Sequence, residues 1–108
     1  MKMAEFIKDE SEFESRLATA KVLVVDCTAT WCGPCKLVAP LIDRLAVEYR
    51  DRAEICKLDV EPNRDLAKKL GIRNIPAVIF FKAGEKIETI VGVKSYEEFS
   101  LAVEKLLT

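Results

Sequence analysis

Two cysteines two residues apart, Cys32 and Cys35, stand in the run Trp31-Cys32-Gly33-Pro34-Cys35. Thiols at that spacing can close into a disulfide and reopen, or supply half of a structural zinc site. A four-cysteine zinc site usually offers two such knuckles, and this sequence has one, so no metal is expected. The other two cysteines, Cys27 and Cys56, fall inside apolar, strand-like runs rather than loops. Redox exchange is therefore the chemistry expected of the pair. The run ends a predicted strand and opens a predicted helix, where unpaired N–H groups favour negative charge. A thiolate at Cys32 is stabilised there, and Cys35 lies one turn further in and less exposed. Gly33 and Pro34 leave the loop little bulk, and Pro34 restricts φ before Cys35.

Asp26 follows Val22-Leu23-Val24-Val25. A carboxyl in so apolar a strand is withdrawn from water, which disfavours its charged form; an Asp at a strand end open to water is the alternative. If Asp26 and Lys57 share one face of adjacent parallel strands, Cys27 and Cys56 point to the other face. Val25 then stands opposite Cys56 and Cys27 opposite Leu58, leaving the two thiols diagonal. A diagonal of ~7 Å is at the limit for a disulfide, so two buried small hydrophobes are expected rather than a second redox pair.

The elements that must position these groups follow from periodicity. Met3 to Ile7 is a short strand, and Ser11 with Glu14 reads as a capping box for a helix to about Ala20 carrying Phe13 and Leu17. Val22 to Thr28 is continuous and β-branched, as in a parallel strand covered on both faces. From about Cys32 to Arg50, Val38, Leu41, Ile42, Leu45 and Tyr49 recur at helical spacing, with Pro40 predicting a kink. Ala53 to Val60 is the next strand. Asn63 caps a short helix with Leu66 and Leu70, and Gly71 suits its end. Ala77 to Phe81 and Lys86 to Val91 form a hairpin around Gly84. Ser95 and Glu98 box a closing helix whose face is Tyr96, Phe99, Val103 and Leu106. Strand–helix–strand units demand right-handed parallel pairs and the hairpin an antiparallel one, which gives an α/β fold with a mixed central sheet and helices on both faces. Pro76 reads as a strand-entry proline, for which a trans bond is the default.

Composition sets the outer limits. With 108 residues, half of them hydrophobic and 32% charged, the sequence suits one domain with a core of useful size. Lys and Arg number 17 against 18 Asp and Glu, which argues against a large electrostatic footprint for nucleic acid. Histidine is absent, which excludes His-ligated zinc, Ser-His and Cys-His catalysis and Cys-x-x-Cys-His haem attachment. No run approaches the ~18 apolar residues of a membrane span, and Met1 to Arg16 lacks an apolar signal region. A cytosolic chain, or the trimmed form of an imported one, is expected.

The segment Val25-Asp26-Cys27-Thr28-Ala29-Thr30-Trp31-Cys32-Gly33-Pro34-Cys35-Lys36, followed by Ala39-Pro40, resembles the active-site segment of the thioredoxin family. Lys57-Leu58-Asp59-Val60, Gly71-Ile72-Arg73, Ile75-Pro76, Phe81-Lys82, Gly84 and Gly92 stand at family spacing, so the resemblance covers essentially the whole chain. It implies a single thioredoxin domain over 1–108 with a five-stranded sheet, and a general protein-disulfide reductase working through a Cys32–Cys35 disulfide. Cys32 would be the nucleophile and Cys35 the resolving thiol. Asp26 would exchange a proton with Cys35 through water, tuned by its charged neighbour Lys57, which by itself reads as a solvated lysine. The resemblance further implies a cis Ile75–Pro76 bond facing the dithiol, with the Ile75 backbone open to an extended substrate. Trp31, Gly33, Pro34, Val91 and Gly92 would complete the docking surface, although Val91 alone reads as strand core.

The implied partners are proteins with accessible disulfides and a separate thioredoxin reductase, NADPH- or ferredoxin-linked, because the sequence carries no cofactor-binding glycine motif. No cofactor, nucleic acid or membrane is expected, and a monomer is; the compartment implied is the cytoplasm or a reducing organelle space such as the plastid stroma. The sequence departs from the family at Cys27 and Thr28, commonly aromatic, at Asn74, often Gly, and at Ala77, usually Thr, which changes the packing behind the loop and its rim. Two rivals remain. A disulfide oxidase or isomerase usually carries a polar or basic residue in place of Pro34, and a binding module would dispense with the thiols.

Overall fold

The structure, a computed structural model, describes residues 3–108, so the first two positions of the expected 1–108 domain lie outside the described residues. The chain runs β1 (Glu5–Ile7), α1 (Glu10–Thr19), β2 (Val22–Thr28), α2 (Gly33–Glu48), β3 (Glu54–Asp59), α3 (Arg64–Lys69), β4 (Ala77–Lys82), β5 (Glu85–Val91) and α4 (Tyr96–Leu107). The strands form one sheet in the order β1-β3-β2-β4-β5. β1, β3 and β2 are parallel, while β4 and β5 enter antiparallel. This is the mixed sheet that the alternation of elements demands.

β2 lies at the centre and is buried on both faces, which explains its unbroken apolar run. Val22 and Val24 point into one layer with Val38, Ile42 and Leu45 of α2 and Phe99 and Val103 of α4. Leu23, Val25 and Cys27 point into the other, with Phe13 of α1 and Leu66 of α3. The helices thus cover both faces, α2 and α4 on one side and α1 and α3 on the other. Among the described residues, no helix is long and apolar enough to cross a membrane.

Several local boundaries differ from the sequence reading. β1 begins at Glu5 rather than Met3, and β3 is one residue shorter at each end. The helix α1 is not capped by Ser11: Asp9 is its N-cap and accepts the Glu12 N–H at 2.9 Å, while the Glu12 carboxylate accepts the Lys8 N–H at 2.7 Å. A variant of the capping box operates two residues earlier, with Glu12 reaching the N–H of the residue before the cap, because Asp caps as well as Ser. Asn63 precedes α3, but its side chain donates to the Asp59 carbonyl at 3.0 Å instead of capping. α3 closes on Gly71 (φ +76), with Ile72 N–H bonded to the Ala67 carbonyl and Gly71 N–H to that of Lys68, both at 3.0 Å. That double closure needs the left-handed residue that glycine supplies. The helix α2 continues through Pro40, which stands on its exposed side.

Candidate active site

β2 delivers the chain through Ala29, Thr30 and Trp31 to the start of α2, where Cys32 is the N-cap residue. Its Sγ accepts the Cys35 N–H at 3.2 Å, so a sulfur occupies the place of a capping oxygen. Cys32 and Cys35 are disulfide-bonded with Cα atoms 5.3 Å apart, and both are buried. Gly33 and Pro34, by contrast, are exposed, and a side chain on Gly33 would meet nothing within 4 Å. The glycine keeps the surface above the disulfide bare rather than admitting a close neighbour.

Facing the disulfide is the Ile75–Pro76 peptide, which is cis. The Ile75 carbonyl oxygen lies 4.0 Å from Cys32 Sγ. Ala29, Cys32 and Cys35 form a small cluster against Val60 and Ile75. Gly92 (φ +95) donates its N–H to the Pro76 carbonyl at 2.8 Å, which ties the end of β5 to this loop. Val91 is half-exposed rather than core, and Trp31 is 66% exposed with its indole N–H donated to Glu61. Beside them runs a groove of about 590 Å³ lined by Trp31, Val60, Ile72 and Ile75, with Arg64, Lys68 and Arg73 among its walls. The structure thus brings Trp31, Gly33, Pro34, Ile75, Pro76, Val91 and Gly92 around the Cys32–Cys35 bond.

Asp26 occupies the β2 face covered by α2, the helix that carries Cys35. It is 1% exposed, and neither carboxyl oxygen has a hydrogen-bond partner among the described residues. Burial pushes its carboxyl up to about 7; Lys57 opposes the rise and Asp43 adds to it. Lys57 stands directly opposite Asp26 in the register of β2 and β3. Its ammonium, however, makes its ion pair with Asp43 of α2, at 3.0 Å. Asp43 is the residue that sequence reasoning missed. It follows Ile42 at the edge of the apolar stripe of α2, where charged residues are routine, so spacing carried no signal.

Cys27 and Cys56 are free and buried, and Val25 faces Cys56 while Cys27 faces Leu58, leaving the two thiols diagonal. Burial pushes the Cys27 thiol up to about 12, with Asp26 adding to the rise. Cys56 is pushed up to about 11 by burial, against the pull of Arg16, whose guanidinium donates to its sulfur at 3.3 Å. Both are therefore held as thiols.

A model of the thioredoxin family matches residues 4–105. The chain belongs to the thioredoxin family. Thioredoxin of Staphylococcus epidermidis is 41% identical over 98 residues, covering 91% of this chain and 93% of the relative. That of Staphylococcus aureus is 39% identical over the same shares. Among solved structures, Malassezia sympodialis thioredoxin superposes with a TM-score of 0.89 at 31% identity, covering 100% of this chain and 96% of that one. Reduced Schistosoma mansoni thioredoxin pre-protein gives 0.87 at 36% identity, covering 97% and 99%. The mixed sheet with four helices is the thioredoxin fold, and the chain is a thiol-disulfide oxidoreductase, a disulfide reductase with a Cys-x-x-Cys redox pair. Family membership implies protein substrates and a reductase that returns electrons to the pair. Of the departures noted in the sequence, Cys27 and Ala77 are paired, buried neighbours behind the loop, Thr28 is the partly buried last residue of β2, and Asn74 is exposed beside Ile75.

Proposed function

We propose that the chain is a general reductant of protein disulfides in which Cys32 attacks and Cys35 resolves. The reduced Cys32 thiolate attacks one sulfur of a target disulfide, forming a mixed disulfide and releasing the other target sulfur as a thiolate, which takes a proton from water. Asp26 then accepts the Cys35 proton, through water. The Cys35 thiolate attacks Cys32 Sγ, breaking the mixed disulfide and releasing the second target sulfur. Two electrons pass to the target, and the Cys32–Cys35 disulfide remains. A separate reductase, NADPH- or ferredoxin-linked, restores the dithiol, and the chain works as a single-domain monomer in the cytoplasm or in a reducing organelle space.

The observation that carries this order is the capping geometry. Cys32 Sγ already accepts a backbone N–H at the start of α2, and a thiolate there gains more from that N–H and the helix dipole than Cys35 does within the first turn. The neighbouring surface supports the docking role. Trp31, Gly33, Pro34, Val91 and Gly92 give an apolar rim, and the Ile75 backbone lies beside Cys32 for an extended target segment to pair with. Lys57 tunes Asp26 as its cross-strand neighbour.

Trapping tests the order. Cys35→Ser should hold target proteins covalently on Cys32 until a small thiol releases them, and Cys32→Ser should trap none. Trapping by Cys32→Ser alone, with both variants folded, would overturn it.

A further inference from the structure

Asp26 and Lys57 face one another across β2 and β3, yet the ammonium is claimed by a third group. Asp43 sits on α2 about two turns beyond Cys35. Its Oδ1 lies 3.0 Å from Lys57 Nζ and also accepts the Ala4 N–H at 3.3 Å. The carboxylate is thereby anchored to the backbone that leads into β1. The Lys57 ammonium is 5.8 Å from the centre of the Phe6 ring of β1, on the same outer side. Both oxygens of Asp26 meanwhile lack a hydrogen-bond partner among the described residues.

We propose that Asp43 is a positioning residue for the proton-transfer step, holding the Lys57 ammonium in an ion pair and so denying it to Asp26. The inference rests on the reading that Asp26 exchanges a proton with Cys35. One cation between two carboxylates goes to the one that keeps its charge more cheaply. The Asp43 side chain retains 21% of its exposure and a backbone donor, whereas Asp26 is 1% exposed and has neither. Asp43 then acts twice in one direction. It holds the cation away, and its own negative charge opposes a second one nearby.

Among the described residues no other charge competes. β4 presents Val78 opposite Asp26, and α4 packs Phe99, Ala102, Val103 and Leu106 into this layer. The groups acting on Asp26 are thus Lys57 from β3 and Asp43 from α2. The reduced Cys35 on the first turn of α2 is the proton's other holder. With the cation held off, Asp26 titrates where a thiol's proton can be taken and returned near neutral pH.

The test compares the two halves of the ion pair. In each oxidised variant the Asp26 carboxyl carbon is titrated by carbon-13 NMR, and in the reduced form single-turnover reduction of insulin disulfides is followed against pH. Asp43→Asn should lower the Asp26 midpoint by about one pH unit or more, because it frees Lys57 and removes a like charge. Lys57→Met should raise it. Damage to the fold alone would not send the two in opposite directions. Asp43→Ser, a smaller neutral replacement, must match Asp43→Asn in direction. The rate should show an inflection at the Asp26 midpoint, apart from the one set by ionisation of the Cys32 thiol, that moves with that midpoint and vanishes in Asp26→Asn. Survival of that Asp26 inflection in Asp26→Asn overturns the relay reading itself. One that vanishes there but stays in place in Asp43→Asn overturns the role of Asp43 alone.

Discussion

Replacing Asp26 with Asn exposes what the buried carboxyl costs. In the folded chain that carboxyl is raised to about 7, first by burial, with Asp43 adding and Lys57 opposing. In an unfolded chain an Asp titrates at about 3.9. The folded state therefore binds the proton more tightly than the unfolded one, so this contribution to stability is complete below about pH 4 and is lost as pH rises to about 7. Each tenfold in proton affinity is worth about 1.4 kcal/mol, so the loss reaches about 4 kcal/mol. Asn has the same shape and carries no charge, so the variant escapes the loss, while every distant group cancels in the comparison. Urea unfolding of both oxidised proteins between about pH 4 and 9 reads the difference. The advantage of Asp26→Asn should grow by about 4 kcal/mol from pH 4 to 8, with its steepest rise inside that window. A difference constant to within about 1 kcal/mol would refute burial as the dominant influence on Asp26. A difference that shrinks with rising pH would mean that the carboxylate is welcomed by Lys57.

Two further outcomes follow from the packing. Ala83 holds φ +51 in the two-residue turn between β4 and β5, a left-handed conformation that is unfavourable for any residue with a Cβ. Ala83→Gly should therefore stabilise the protein by about 0.5–1 kcal/mol, the relief of strain exceeding the added freedom of the unfolded chain, and a lowered Tm would contradict it. Arg16 joins Glu12 at 2.8 Å, Glu54 at 2.7 Å, Glu5 at 3.5 Å and the Cys56 sulfur at 3.3 Å. With its side chain partly exposed, Arg16→Met should cost about 1–2 kcal/mol and shrink the stability difference between low and high salt. A salt-independent loss would point to packing of its stem instead.

Much of this was legible before any coordinates. The unbroken run of β2 announced a central strand, since only burial on both faces removes alternation. The helical stripes of α2 and α4 marked Val38, Ile42, Leu45, Phe99 and Val103 as core-facing, and the structure puts them in one layer. Once the family resemblance set Asp26 beside Lys57, two-residue alternation was enough to leave Cys27 and Cys56 diagonal. What escaped depends on contacts between segments distant in sequence, or on near-equal local choices. Asp9 and Ser11 are both good caps two residues apart, and the chain's exit from β1 decides between them. β5 is exposed along nearly its whole length, so no burial pattern marked its first residue, Glu85. Arg16 and Asp43 look like ordinary polar residues on helix edges, and only tertiary packing turns them into partners of Cys56 and Lys57.

The same packing explains why a destabilising acid is tolerated at position 26. β2 is the central strand, with a hydrogen-bonded neighbour on each side and helices on both faces, so a polar residue within it is cut off from water. Its carboxyl end also leads straight into the N-terminus of α2, where the disulfide sits. An acid placed there is buried because the strand is central, and it lies on the strand that leads to the sulfurs. On the proposed relay, the cost is therefore not a defect separable from the chemistry. Moving the acid to a solvated edge strand such as β5 would recover the stability and forfeit both the proximity and the raised proton affinity. Burial raises that affinity first, Lys57 opposes the rise and Asp43 adds to it, and on the proposed relay an ammonium left wholly to Asp26 would hold it ionised and unable to return a proton.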